Sequence, residues 1–226
     1  MKPVLFVMTS HGTQGESGEP TGFYLSEVTH PLAVLDEAGI PVEFASIQGG
    51  EPPVDGLDLD DQTNARYWND AQFRAAIAQS KALADIDASA YSGIFFAGGH
   101  GAMWDFPTSA AVTAKTRDVW NAGGVVGAVC HGPAALVNVT LDDGSYLVAG
   151  RKVAAFTDAE EEAVGLTQVV PFLLSSTLAQ RGADMQPGAE WTRTVAVDGK
   201  LVTGQNPQSA TAVGEAMRDL LKPTQS

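Results

Sequence analysis

The stretch Val125-Val126-Gly127-Ala128-Val129-Cys130-His131-Gly132-Pro133-Ala134-Ala135-Leu136 puts the only cysteine of the chain where an apolar, β-branched run gives way to a helical pattern. A side chain on the sharp turn between a parallel strand and its helix is lifted out of the sheet, and crowding of the backbone demands small residues two positions to either side. Ala128 and Gly132 meet that demand. The turn also sets the thiol at a helix N-terminus, where unpaired N–H groups and the helix dipole favour a thiolate. A lone cysteine is more commonly a buried structural residue, but its place at this junction favours a nucleophile.

Covalent chemistry at Cys130 needs a proton acceptor and dipoles for the oxyanion that develops on the substrate. Three of the four histidines, His11, His100 and His131, fall just beyond expected strand ends. The N–H of His131 at the elbow and the N–H of Gly99 or His100, in Gly98-Gly99-His100-Gly101, are expected to form the oxyanion hole, because adjacent parallel strands bring the two turns side by side. Glycines there let backbone approach a ligand closely. A metal site is the alternative use of these histidines; it is disfavoured because none pairs with another at helical spacing or with a cysteine pair. Glu27, in the first turn of an expected helix, shares a stripe with Pro31 and Val34. Desolvation beside that apolar face raises its pKa.

Composition narrows the function classes. The formal net charge of −14 argues against nucleic acid and anionic membrane surfaces, which want a basic face. One cysteine makes neither an internal disulfide nor a cysteine-based zinc cage, so the chain reads as a reduced, cytoplasmic protein whose thiol serves chemistry. No apolar run approaches the length of a membrane span, and Val4 to Met8 is too short for a signal-peptide core. The only Gly-Lys pair, at Gly199, lacks the context of a nucleotide-binding loop.

The elements that must position these residues follow from periodicity. Strands are expected at Val4–Met8, Val42–Ser46, Tyr91–Ala97 and Val125–Cys130. Helices are expected from Ser26 to a stop at Gly39, with Pro31 tolerable only in the first turn, and at 69–83 and 108–121. Leu147 to Phe156 suggests a hairpin-like pair or a bent strand. A helix start lies at 157–162, a longer helix after Pro171, a hairpin about Asp198-Gly199, and a last helix at 207–221. The alternation means an α/β fold, one domain over residues 1–226, whose mostly parallel sheet carries its site beyond the carboxyl ends of the strands.

Five segments, in order, resemble the ThiJ/PfpI superfamily, and within it the heat-shock chaperone and glutathione-independent glyoxalase branch. They are Thr21 to Glu27 with His30-Pro31, Phe96 to Asp105, Ala128 to Ala134, Phe156 to Glu161, and Asp198 to Ala210. The resemblance implies a flavodoxin-like three-layer sandwich with a nucleophile elbow. It implies Cys130 as nucleophile, Glu27 as the acid held against the thiol, and His131 as the catalytic histidine oriented by Glu161; Asp158-x-x-Glu161 also fits a helix capping box. No histidine follows His131, which excludes the glutamine-hydrolysing triad of the related amidotransferases. The activity implied is conversion of methylglyoxal and related 2-oxoaldehydes to 2-hydroxy acids without glutathione or another cofactor, by a homodimer. Other readings within reach of the resemblance are a hydratase or hydrolase of another small electrophile, a protein deglycase, a stress holdase and a cysteine redox sensor. Phe23, Tyr24 and Trp104, beside the motifs, are candidates for the walls of a small pocket.

Overall fold

The computed structural model describes residues 2–222. Its centre is a seven-stranded sheet made of β1 (Val4–Met8), β2 (Val42–Ser46), β3 (Lys81–Ala82), β4 (Gly93–Phe96), β5 (Val125–Val129), β6 (Val195–Asp198) and β7 (Leu201–Gly204). The strand order is β6-β7-β5-β4-β1-β2-β3, and every pairing is parallel except β6 with β7. Continuous apolar runs suit strands covered on both faces, and alternate residues do go to opposite cores. Val4, Phe6 and Met8 meet one core; Leu5 and Val7 meet the other.

Helices supply the cover. On one face lie α1 (Leu25–Glu37), α3 (Ala71–Ala78) and α7 (Ala210–Leu221), contributing Val28, Leu32, Leu35, Phe73, Ile77, Val213 and Met217. On the other lie α4 (Ala110–Asn121) and α6 (Leu174–Gln180), through Val112, Val119, Leu174 and Leu178. Each such side chain contributes about 1.5–3 kcal/mol by leaving water. Two shorter helices, α2 (Gln62–Trp68) and α5 (Asp158–Ala163), complete the set used below.

Several expectations need correction. Residues 69–83 do not form one helix. Asp70 takes an extended conformation and its carboxylate accepts from the Gln72 N–H at 2.7 Å, so it caps α3 and separates it from α2. Pro31 is the seventh residue of α1 instead of lying in its first turn. α7 packs closely on the helix at this point: a Cβ on Gly214 would stand 2.8 Å from Pro31 Cα. Leu147 to Phe156 forms no hairpin; only Lys152–Val153 is extended, paired in parallel with Asp184–Met185. The helix after Pro171 is seven residues long. The hairpin exists, but its two-residue loop is Gly199-Lys200, with φ of 58° at Gly199, one residue later than expected.

The helical pattern after Cys130 is also tighter than expected, a 3₁₀ segment over Gly132–Leu136. Gly132 is wedged under the neighbouring strand: a Cβ there would lie 2.2 Å from the Phe96 carbonyl oxygen. Pro133 at its start removes a donor.

Candidate active site

Register fixes which loops meet. Phe96 of β4 pairs with Ala128 of β5, and Gly204 of β7 with Val129. The residues that follow, Gly98 to Gly101, Cys130-His131 and Gln205 to Pro207, therefore emerge side by side at the carboxyl edge of the sheet. Cys130 makes the turn with φ of 60°, a left-handed conformation that non-glycine residues rarely adopt. Its N–H donates to the Gly204 carbonyl at 2.9 Å and its carbonyl accepts from the Phe156 N–H at 3.0 Å, so backbone on both sides holds the turn.

The structure brings Cys130, His131, Glu161, Glu27, Gly99 and His100 around one pocket of about 190 Å³. His131 Nδ1 lies 3.4 Å from Cys130 Sγ, and His131 Nε2 lies 2.7 Å from Glu161 Oε2. The other Glu161 oxygen, Oε1, lies 2.8 Å from His100 Nε2. One carboxylate thus serves two imidazoles. A carboxylate accepts only, so each Nε2 carries its proton toward Glu161, and the Nδ1 of a neutral His131 presents its lone pair to the thiol.

The protonation states follow from burial. Desolvation pushes Glu161 up, but the hydrogen bonds from His100 and His131 outweigh it and bring the carboxyl to about 2. Burial, with His100 alongside, lowers His131 to about 4 against the pull of Glu161, so the ring is neutral at pH 7. Burial pushes the Cys130 thiol well up, and Glu27 adds to the push. The expected resting thiolate is therefore not what this environment favours: with 4% of the residue exposed, desolvation outweighs the His131 N–H that points at the sulfur.

Glu27 enters from the first turn of α1 and is fully buried. Burial raises its carboxyl to about 8, although the thiol of Cys130 and the Gly98 N–H lean toward it. Neither oxygen reaches full hydrogen-bond geometry with any group. A Cβ on Gly98 would stand 2.2 Å from Glu27 Oε2, so the carboxyl fits only against a glycine. Among the described residues, the Gly99 and His100 N–H groups donate to no protein acceptor, and both residues line the pocket.

His100, His131 and Glu161 also have the composition of a metal-ligand set, with their donor atoms within 4.8 Å of one another. Spacing in the sequence could not show this set because its members come from three separate segments, two turns and helix α5. Within the set, both histidines hydrogen-bond to Glu161. His11 lies outside the group, stacked on Trp104 with ring centroids 5.1 Å apart.

Of the expected wall residues only Tyr24 lines the pocket; Phe23 is wholly in the core and Trp104 is engaged with His11. Asp55, Phe156, Val164, Trp191 and Pro207 complete the lining. Phe156 stands at the edge of a quoted motif and Pro207 within another, which was the available signal; nothing in the sequence marked Val164 or Trp191. The capping box of α5 uses Thr157 and Glu160, which leaves Glu161 free for the histidines.

Residues 20–219 match the DJ-1/PfpI family. The chain belongs to that family. Among its relatives, the glutathione-independent glyoxalase hsp3102 of Schizosaccharomyces pombe is 34% identical over 95% of both chains. The crystal structure of glyoxalase III from Candida albicans superposes with a TM-score of 0.90 at 30% identity, covering 97% of each chain. The 24 kDa rapid encystment protein of Francisella tularensis is 41% identical, with a TM-score of 0.95 over 99% of this DJ-1/PfpI chain and 100% of its own.

Proposed function

We propose that this DJ-1/PfpI protein converts small 2-oxoaldehydes such as methylglyoxal to 2-hydroxy acids, without glutathione, through a hemithioacetal on Cys130. The observation that carries the reading is the unpartnered, protonated carboxyl of Glu27 beside the thiol. Cysteine, histidine and glutamate alone suffice for hydrolysis. Moving hydrogen from C1 to C2 of an oxoaldehyde needs a further proton carrier that is not tied up in the fold.

Neutral His131 takes the thiol proton through Nδ1 as Sγ bonds to the aldehyde carbon, and Glu161 stabilises the imidazolium. Negative charge that develops on the aldehyde oxygen faces the His131 and Gly99 N–H groups. Glu27 protonates that oxygen, and its carboxylate then removes the C1 proton as the electron pair moves to the C2 oxygen. The hydroxyl proton on C1 passes to the C2 oxygen, and Glu27 returns its proton to C2. The result is a thioester of the 2-hydroxy acid. Glu27 next takes a proton from water, which attacks the thioester, and His131 protonates the leaving sulfur. Every group then returns to its starting state, and water is the only co-substrate.

The nearby names of relatives support this reading, since the hsp3102 protein and the Candida protein are both called glyoxalases. Lining chemistry supports it as well. The charged groups around the pocket are acids, with no lysine or arginine among them, which suits an uncharged substrate. The test is lactate formation from methylglyoxal with no thiol added. The native protein is expected to turn over, and Cys130→Ala to lose activity by at least about 10³-fold. A folded native protein that makes no lactate overturns the assignment.

A further inference from the structure

Glu160 has no part in the chemistry above, yet it is fully buried and collects five hydrogen bonds. Its Oε2 accepts from the Thr157 N–H and hydroxyl, both at 3.0 Å. Its Oε1 accepts from the Trp191 N–H at 3.0 Å, Gln205 Nε2 at 3.1 Å and Asn206 Nδ2 at 2.9 Å. Asn206 and Gln205 are themselves fully buried and reach on to the same turn, Asn206 to the Thr192 carbonyl at 2.9 Å and Gln205 to the Gly188 N–H at 2.8 Å. Three buried side chains therefore strap one surface turn to the end of β7.

The turn carries Trp191 with φ of 58°, one of only two non-glycine residues with positive φ among the described residues. The other is Cys130. A bulky residue held in that region persists only where its surroundings over-determine it, and such positions cluster at functional sites. Trp191 is one of the residues that line the pocket of Cys130. Its ring packs edge-on against Phe156 at 5.7 Å between centroids, and Phe156 in turn packs on His131 at 4.3 Å. The pocket it bounds encloses about 190 Å³. That leaves space beside a three-carbon aldehyde, and a phenyl-bearing electrophile in the same place would have to fill it up to the Trp191 side.

We propose that Trp191 sets the upper size of the electrophile admitted to Cys130, and that Glu160 is the positioning residue that holds it there. The adjacent glutamates then divide the labour: Glu161 orients the histidines and Glu160 builds the wall.

The proposal rests on the 2-oxoaldehyde reading for its substrate, so its test pairs turnover with a readout independent of turnover. Cys130 is the only cysteine, and its alkylation by iodoacetamide and by N-phenyliodoacetamide reports pocket size directly. Trp191→Ala, at a residue 39% exposed, is expected to raise the ratio of phenyl to small-reagent rates by about tenfold or more. It is expected to raise the kcat/KM ratio of phenylglyoxal to methylglyoxal to a similar degree. Glu160→Gln is expected to shift both ratios the same way, and Glu160→Gln with Trp191→Ala to relax them no further than Trp191→Ala alone. If Glu160→Gln fails to fold, Asn206→Ala cuts the same strap and is expected to behave alike. Unchanged alkylation ratios in Trp191→Ala overturn the wall. Additive effects of the two changes overturn the positioning role. Absent turnover in the native protein with shifted alkylation ratios would remove the glyoxalase reading and leave the size limit standing.

Discussion

Glu27 is the residue at which stability and chemistry pull against each other. A carboxyl near 4.3 in the unfolded chain and near 8 in the folded one binds its proton more tightly in the folded state between those values. Its contribution to stability is thus fully present below about pH 4.3 and is lost as pH rises toward 8, by a few kcal/mol in all. Glu27→Gln, which carries no titrating proton, is expected to abolish that slope. Urea unfolding between pH 5 and 8 should show the variant gaining on the native protein as pH rises. A constant difference across the window would mean that Glu27 is not held protonated. At this scale the sequence was informative about residue types and less so about states. The elbow pattern singles out Cys130, but a lone cysteine beside a helix start reads as a thiolate, whereas the pocket buries it and favours the thiol. The sharing of Glu161 between His100 and His131 depends on helix α5 meeting two strand-end turns, which no local pattern encodes.

At the scale of elements, the site depends on the close approach of two strand ends. Gly132 has no space for a side chain against the Phe96 carbonyl. Gly132→Ala is expected to destabilise the fold by about 1–3 kcal/mol and to lower methylglyoxal turnover by more than stability explains, because the elbow must shift. Chemical denaturation beside kinetics on the folded fraction separates the two effects; normal turnover with normal stability would show that the elbow has slack. Strands β1, β4 and β5 were legible because each is an apolar run buried on both faces, whereas β2, with Glu43 inside it, is only partly buried. The break at Asp70 was not legible, since an aspartate within helical periodicity reads as a solvated position until its extended backbone shows it to be a cap. Nor was the wall of the pocket. Trp191 and Val164 are themselves partly exposed, and the placement of Trp191 is decided by Glu160, Gln205 and Asn206 at the far side of the turn.

The molecule as a whole carries a net charge of −14, and the acids that line or adjoin the pocket mouth, Asp55 and Asp58, are not offset there by any lysine or arginine. Such a field repels anions at the mouth, and salt screens it. A carboxylate-bearing aldehyde is therefore expected to have a kcat/KM at least about tenfold below that of an uncharged one of similar shape. The gap should narrow at high ionic strength, as a comparison of 4-carboxyphenylglyoxal with phenylglyoxal would show in Trp191→Ala, where both rings have room. Equal use of the two at low salt would locate the acidic field away from the substrate's path. Among the described residues no helix is long and apolar enough to cross a membrane.

The central claim is that Glu27 carries the proton from C1 to C2 while Cys130 holds the substrate. Its most direct test measures, in Glu27→Gln and in the native protein, both lactate formation from methylglyoxal and the alkylation rate of Cys130 by iodoacetamide. Lactate formation is expected to fall by about 10²-fold or more with alkylation retained, since the thiol and His131 are intact. Lactate formation at the native rate in Glu27→Gln would contradict it.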